Sequence, residues 1–130
     1  MTSKPDLEIA DSETLYRAIY PGNKFWKEKF NKVSSAAFKD ESGLSVDRDV
    51  DRDVGEVIQD FNDRKMKGYL IYIGAGRCRE IGTYLIATPS LINDYHAEIR
   101  ESPTIIEISD EKCLLLSETF QVIPEPLENT

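Results

Sequence analysis

Apolar and polar residues alternate along several short stretches of this chain, with the period of two that is typical of β-strands. A continuous apolar run over residues 69–73 also predicts a strand, because it is short, rich in Tyr and Ile, and followed by Gly74. The predicted strands are residues 14–20, 33–38, 44–46, 69–73, 77–89 and 94–100. Much of the protein is therefore expected to form a sheet.

Two further segments have apolar residues at helical spacing. In the first, residues 50–66, aspartates precede the apolar stripe, where the helix dipole favours negative charge, and Gly68 provides a stop. In the second, residues 109–121, Ser109 is a suitable N-cap. The two apolar stripes consist of Val50, Val54, Val57, Ile58 and Phe61, and of Cys113, Leu116 and Phe120.

Helices and strands do not alternate regularly, which favours an α+β fold over a parallel α/β fold. We predict a single domain, residues 1–130, in which a mainly antiparallel sheet of four to six strands carries the two helices. Residues 1–12 and 124–130 are expected to be loose tails. Pro21, Gly22 and Asn23 predict a turn, and the aromatic residues Phe25, Trp26 and Phe30 are expected to close one end of the core.

Charge and composition narrow the classes of function. The net charge of −8 makes nucleic acid an unlikely partner, because binding to phosphates depends on Lys and Arg. No apolar run is long enough to span a bilayer, and the first ten residues lack the apolar region of a secretory signal. We therefore expect a cytoplasmic protein without a membrane partner, in which Cys78 and Cys113 are reduced thiols.

Three motifs for metal or nucleotide binding are incomplete. One histidine and two cysteines do not complete a structural zinc site. The alternating aspartates of residues 47–53 superficially match a calcium loop, but Gly55 is one position late and Asp60 replaces the final glutamate. Gly74 and Gly76 follow a strand, but Arg79 occupies the third glycine position of a dinucleotide fingerprint and no helix is predicted after it. No metal site is predicted, and no cofactor is identified.

One polar segment interrupts the apolar pattern and is the first candidate for a binding site. Ser34, Ser35, Lys39 and Ser45 lie between small and apolar residues, so at least one hydroxyl group is expected to face inward or towards a cleft. A buried hydroxyl needs a hydrogen-bond partner, which is either nearby backbone or a ligand. Both alternatives stay open for these serines.

Three residues on other predicted strands are further candidates. Arg17 shares a strand side with two apolar neighbours, so it is either paired with a carboxylate at the rim of the sheet or directed to a ligand. His96 and Glu98 point to the same side of their strand. They form either a solvated face or an acid–base pair, in which Ser35 is a third candidate catalytic residue.

The segments SSAAF (residues 34–38), LSVD (44–47) and YHAEI (95–99) resemble a group of small bacterial proteins. This resemblance implies that Ser34, Ser35 and His96 belong to one site, but it implies no particular activity. Residues 15–17 and 33–35 are also similar to the two pieces of ADP-ribosyltransferase and other NAD-cleaving domains that bind NAD, an arginine on the first strand and a serine-containing strand. The second resemblance implies an NAD-related ligand.

Two hypotheses about function follow. In the first, Arg17, Ser34, Ser35, Lys39 and His96 converge on a small anionic molecule or a nucleotide. In the second, the chain is a non-catalytic acidic protein, such as an antitoxin, an immunity protein or a regulator, that binds a basic protein partner. Convergence of the five residues in one cleft would favour the first, and an apolar patch rimmed by acids would favour the second.

Overall fold

The computed structural model describes residues 5–20, 25–27 and 32–130. Its strands are β1 (Thr14–Ile19), β2 (Trp26–Lys27), β3 (Lys32–Val33), β4 (Leu44–Arg48), β5 (Tyr69–Gly74), β6 (Tyr84–Ala87), β7 (His96–Arg100) and β8 (Gln121–Val122). Its helices are α1 (Val54–Asp63), α2 (Ala75–Ile81) and α3 (Asp110–Thr119), with a 3-10 helix at Ser35–Phe38. The predicted turn at residues 21–23 and the ring of Phe30 lie outside the described residues.

Six of the strands form one open antiparallel sheet, in the order β6, β7, β4, β1, β5, β8. Strands β2 and β3 form a separate two-stranded ribbon. The α+β fold with a mainly antiparallel sheet is therefore confirmed, as are strands close to the predicted ranges 14–20, 69–73 and 94–100. Within the described residues, no helix is long and apolar enough to cross a membrane.

The main core lies on one face of the sheet, where alternate residues of the strands meet α2, α3 and the 3-10 helix. Trp26 is buried in this core and stacks on Tyr69, with 4.6 Å between the ring centroids, whereas Phe25, also expected in the core, is exposed. Cys78 and Cys113 are buried as free thiols, and burial raises the pKa of Cys78 to about 12. The described core residues include Leu15, Ile19, Phe38, Leu44, Ile71, Ile99, Cys113 and Leu116.

The second face of the sheet is only partly covered. Helix α1 packs Val57 and Phe61 with Tyr16 of β1 and Leu70 of β5, forming a smaller apolar cluster. On β4 and β7, the residues with the same orientation are polar: Ser45 is exposed, His96 and Glu98 are half-buried, and Asp47 is buried. The second face therefore consists of an apolar half, which α1 covers, and a polar half, which α1 leaves open.

The prediction of a strand over residues 33–38 is wrong, because β3 ends at Val33 and the 3-10 helix follows. The hydroxyl oxygen of Ser34 accepts a hydrogen bond from the backbone N–H of Ala36 at 3.2 Å, which caps this helix. The turn directs Phe38 into the core, where its ring lies 5.0 Å from that of Phe120. Burial of Phe38 against a residue far along the chain therefore overrides the local alternation.

The first predicted helix begins later than expected, at Val54 rather than at residue 50. Val50 and Asp51 have positive φ angles of 39° and 60°, so the chain turns sharply between β4 and α1. The carboxylate of Asp53 accepts a hydrogen bond from the backbone N–H of Glu56, and the carboxylate of Glu56 accepts one from the backbone N–H of Asp53. The aspartate-rich repeat is thus divided among a strand, a turn and a helix cap.

The prediction of a strand over residues 77–89 is wrong in its first half, because α2 follows Gly74 directly. The first N–H groups of α2 are satisfied by the N-terminal segment: Ala75 donates to the carbonyl of Glu13 at 2.8 Å, and Gly76 donates to that of Asp11 at 3.1 Å. Gly82, with φ of 100°, ends the helix. These capping partners lie some sixty residues earlier in the chain, so the local pattern did not reveal them.

Both described ends of the chain, expected to be loose, are tied to the fold. The N-terminal segment buries Ile9, and its carbonyls at Asp6 and Glu8 accept hydrogen bonds from Arg48. At the other end, Leu127 is buried and its N–H donates to the carbonyl of Gly68 at 2.8 Å.

Candidate functional site

A groove of about 230 Å³ lies at the boundary between the covered and open halves of the second sheet face. Tyr16, Ala18, Phe61 and Met66 supply its apolar lining. Its polar lining consists of Arg17, Ser45, Asp47, Arg64 and His96. Three residues predicted from the sequence, Arg17, Ser45 and His96, therefore meet in this groove.

Arg17 borders the groove where β1 and β4 separate, from the strand side that it shares with Leu15 and Ile19 of the main core. In the register of these strands, Leu15 of β1 pairs with Arg48 of β4, and Tyr16 pairs with Asp47. At the next residue of β1, Nη1 of Arg17 donates a hydrogen bond to the backbone carbonyl of Ser45 at 2.9 Å. The arginine thus satisfies a carbonyl group near the point at which the ladder of strand hydrogen bonds ends.

The charge of Arg17 is poorly compensated. Among the described residues, no carboxylate lies within ion-pair distance of its guanidinium, and its buried Nε has no hydrogen-bond partner. Burial lowers the pKa of Arg17, and only the more distant charge of Asp40 acts in the opposite direction. A half-buried cation of this kind gains from a carboxylate or a phosphate group placed beside it.

Asp47 and Arg64 form an ion pair on the groove wall. The buried carboxylate of Asp47 accepts from Nη2 of Arg64 and, at 3.2 Å, from the side-chain amide of Asn93. Burial raises the pKa of Asp47, and the neighbouring charge of Arg64 opposes this rise. Arg64 is also 3.2 Å from Asp60, but its buried Nε has no hydrogen-bond partner in the part of the chain that the structure describes. Sequence analysis missed this pair, because the predicted strand ended at residue 46 and Asp47 was assigned to the aspartate-rich stretch that follows.

His96 is held in one orientation by Thr88. Its Nδ1 lies 2.8 Å from the hydroxyl oxygen and 3.2 Å from the carbonyl oxygen of Thr88. Since the carbonyl only accepts, we assign the proton of the neutral ring to Nδ1. The other ring nitrogen, Nε2, is then a hydrogen-bond acceptor on a ring that lines the groove.

Glu98 shares the strand face of His96 but pairs with a different residue. Its Oε1 accepts a hydrogen bond from Nε of Arg100 at 2.9 Å and forms an ion pair with Nη2 of the same residue at 2.8 Å. The same oxygen approaches Gly43 so closely that a Cβ there would collide with it, and Gly43 also has a φ of 102°. The structure therefore shows Glu98 in an ion pair on the sheet surface and gives it no hydrogen bond to His96.

Ser34, Ser35 and Lys39 are not part of this groove. Ser34 caps the 3-10 helix, and Nζ of Lys39 donates to the carbonyl of Ile108 at 2.8 Å and pairs with Asp110 at 3.1 Å. Ser35 and Lys39 instead line a second groove of about 300 Å³, beside α3, together with Cys113. The five residues expected to converge are therefore divided between two regions.

The first groove is thus bordered by the cation of Arg17 and lined by the serine Ser45 and the imidazole of His96. This set can bind an anionic group and accept a hydrogen bond from a ligand hydroxyl. Across the described residues, no group of three or more His, Cys, Asp or Glu side chains is arranged to hold a metal ion. Comparison with protein-family models, curated proteins and solved structures finds no match to this chain. An assignment of function therefore rests on the geometry of the groove.

Proposed function

We propose that the protein binds a small molecule carrying a carboxylate or phosphate group in the groove lined by Arg17, Ser45 and His96. The observation that carries this proposal is the uncompensated guanidinium of Arg17, which is half-buried and lacks an ion-pair partner among the described residues. Arginines that are withdrawn from water are usually paired, so a half-buried one that borders a concave site without an ion-pair partner among the described residues favours an anionic ligand.

The size of the groove limits the ligand. At about 230 Å³ it is smaller than the roughly 300–1,000 Å³ typical of sites for drug-sized molecules. A phosphate, a small carboxylic acid or the anionic end of a nucleotide is small enough for this groove. Of the two segments that resemble NAD-cleaving domains, only the one with Arg17 borders this groove, because Ser34 caps the 3-10 helix.

The proposal is tested by thermal unfolding of the protein with inorganic phosphate, citrate, AMP and NAD at constant ionic strength. A ligand at a hundred times its dissociation constant is expected to stabilise the wild-type protein by about 2.7 kcal/mol. In Arg17→Met this stabilisation should disappear, because the cation that pairs with the anion is gone. Without ligand, the variant should stay within about 1 kcal/mol of the wild type, since a poorly compensated buried charge is removed.

Arg77→Met is the matched control, because Arg77 is exposed on α2 and pairs with Glu80 away from the groove. It should keep the full response to the ligand. His96→Ala should weaken the response without unfolding the protein, since the hydrogen bond to Thr88 is worth only about 1 kcal/mol. The proposal is wrong if none of the four probes stabilises the wild type, or if Arg17→Met responds as strongly as Arg77→Met.

A further inference from the structure

The hairpin that joins β6 to β7 carries two fully exposed aliphatic side chains at its tip. Leu91 is 104% exposed and Ile92 is 91% exposed, relative to the reference state of each residue. Single exposed apolar residues are common on proteins, but two adjacent ones at a protruding tip form a continuous apolar surface. We call Leu91 and Ile92 the hairpin tip.

The conformation of the hairpin tip is fixed by hydrogen bonds on both sides. Ser90 and Asn93 exchange backbone bonds, from Ser90 N–H to the Asn93 carbonyl at 3.0 Å and from Asn93 N–H to the Ser90 carbonyl at 3.3 Å. The Asn93 side chain accepts from the N–H of Tyr95 at 3.0 Å and donates to the buried carboxylate of Asp47 at 3.2 Å. The tip is thus attached to the core of the second sheet face and presented in one conformation.

The residues of the tip are unusual for such a turn. Turns are normally built from Gly, Pro, Asn, Asp and Ser, which suit both the backbone and the solvent. Leu91 and Ile92 have negative φ angles and add no backbone strain, but they expose two large side chains to water. Because a rigid apolar group loses little entropy on binding, this arrangement is suited to insertion into a partner.

Two carboxylates lie beside the hairpin tip, and one of them is exposed. Asp60 of α1 and Asp94 of the hairpin line a shallow groove of about 190 Å³ beside Leu91 and Ile92. Asp60 already pairs with Arg52 at 3.5 Å and with Arg64 at 3.2 Å, and the guanidinium of Arg52 also lies 3.5 Å from the centre of the Tyr95 ring. Asp94 is exposed and has no ion-pair partner among the described residues, so it is the carboxylate that a partner can reach. Helix α1 contains no Lys or Arg, and the whole chain has a net charge of −8.

We propose that the hairpin tip anchors a protein–protein interface. Leu91 and Ile92 insert into an apolar pocket of a partner protein, and a Lys or Arg residue at the rim of that pocket pairs with Asp94. The net charge of −8 disfavours an anionic membrane and a second copy of this chain, because like charges repel, and it favours a basic partner. This interface is separate from the anion-binding groove and does not depend on it.

The test replaces Leu91 with the photo-crosslinking amino acid p-benzoylphenylalanine in the cells that naturally make the protein. Position 7, also exposed and apolar, is the control site. We expect an adduct with one protein from position 91 and none with that protein from position 7. The crosslinked peptide of the partner should map to an apolar pocket with Lys or Arg at its rim.

The identified partner is then purified, and its binding is measured by calorimetry. The double variant Leu91→Ser, Ile92→Ser should bind at least about 100-fold more weakly, because it removes the two anchors. Asp94→Asn should slow association and reduce its dependence on salt. Both variants should melt at the wild-type temperature, since the replaced side chains are exposed.

Four results would overturn this inference. The first two are the absence of any protein adduct at position 91 and equal binding of the partner by the double variant and the wild type. The third is a dimer of this chain, seen in sedimentation experiments, that the double variant abolishes. The fourth is flotation of the protein with phosphatidylcholine–phosphatidylglycerol vesicles that the double variant abolishes.

Discussion

Arg48 illustrates how a single side chain can connect distant parts of the chain. It lies on the core side of β4 and is only 2% exposed. Its guanidinium pairs with the carboxylate of Glu13 at 2.7 Å and donates to the carbonyls of Asp6 and Glu8. A buried guanidinium with this many partners is fully satisfied, in contrast to that of Arg17.

Arg48→Met should lower the free energy of unfolding by about 3 kcal/mol, because it leaves Glu13 buried without a counter-ion and frees two carbonyl groups. Urea denaturation measures this difference. Arg79→Met is the comparison, since Arg79 also holds the N-terminal segment, through Asp11 and the carbonyl of Ile9, but is more exposed. Its cost should be about 1 kcal/mol. Equal losses in the two variants would show that burial of the Arg48 pair is not the determining factor.

At the scale of elements, α1 begins where a cap is available and not where the apolar spacing begins. Val50 and Asp51 adopt positive φ angles, so the apolar stripe that includes Val50 is interrupted before the helix. Asp53 and Glu56 then form a capping box at its first turn. Helix α2 has no side-chain cap and depends on the N-terminal segment, so the two helices start for different reasons.

Asp53→Ala should therefore reduce stability by about 1 kcal/mol through loss of the cap of α1. The change is measured as a shift in the midpoint of urea denaturation with an unchanged slope. Asp53→Asn separates capping from charge, because asparagine caps helices about as well as aspartate. Asp53→Asn should keep most of the stability, and a loss equal to that of Asp53→Ala would assign the effect to charge.

At the scale of the whole molecule, the C-terminal segment completes the smaller apolar cluster. Leu127 packs with Tyr16, Val57, Phe61 and Leu70, and so joins residues of two strands and a helix. The side-chain oxygen of Asn62 accepts a hydrogen bond from the backbone N–H of Glu128 at 3.0 Å. The backbone carbonyl of Asn62 accepts another from the side-chain amide of Asn129 at 3.2 Å. The segment is part of the fold and borders α1.

Leu127→Ala should cost about 2–3 kcal/mol, because it removes a buried side chain and leaves a cavity under α1. Leu91→Ala, at the exposed hairpin tip, is the matched control and should change stability by less than about 0.5 kcal/mol. Thermal and urea unfolding of both variants test this prediction. A negligible effect of Leu127→Ala would show that the C-terminal segment is not anchored in solution.

Local sequence was sufficient for the elements whose signals do not depend on distant residues. The alternation in β1 and β7, the apolar run of β5 and the Ser109 cap of α3 each predicted the observed element to within a few residues. It failed where a distant contact decides the conformation. Phe38 turns a predicted strand into a 3-10 helix by packing on Phe120, and the N-terminal segment caps α2.

The sequence also identified Arg17, Ser45 and His96 as candidates from residue type and strand orientation, but it did not determine which of the seven candidates meet. The order of strands does so, by placing β4 between β1 and β7 and bringing Ser45 and His96 to the same groove as Arg17. Asp47 and Arg64 were missed because their pairing depends on the packing of α1 against the sheet. Composition and alternation are local properties and determine the fold class, whereas the site depends on long-range pairing and burial, which only the tertiary structure decides.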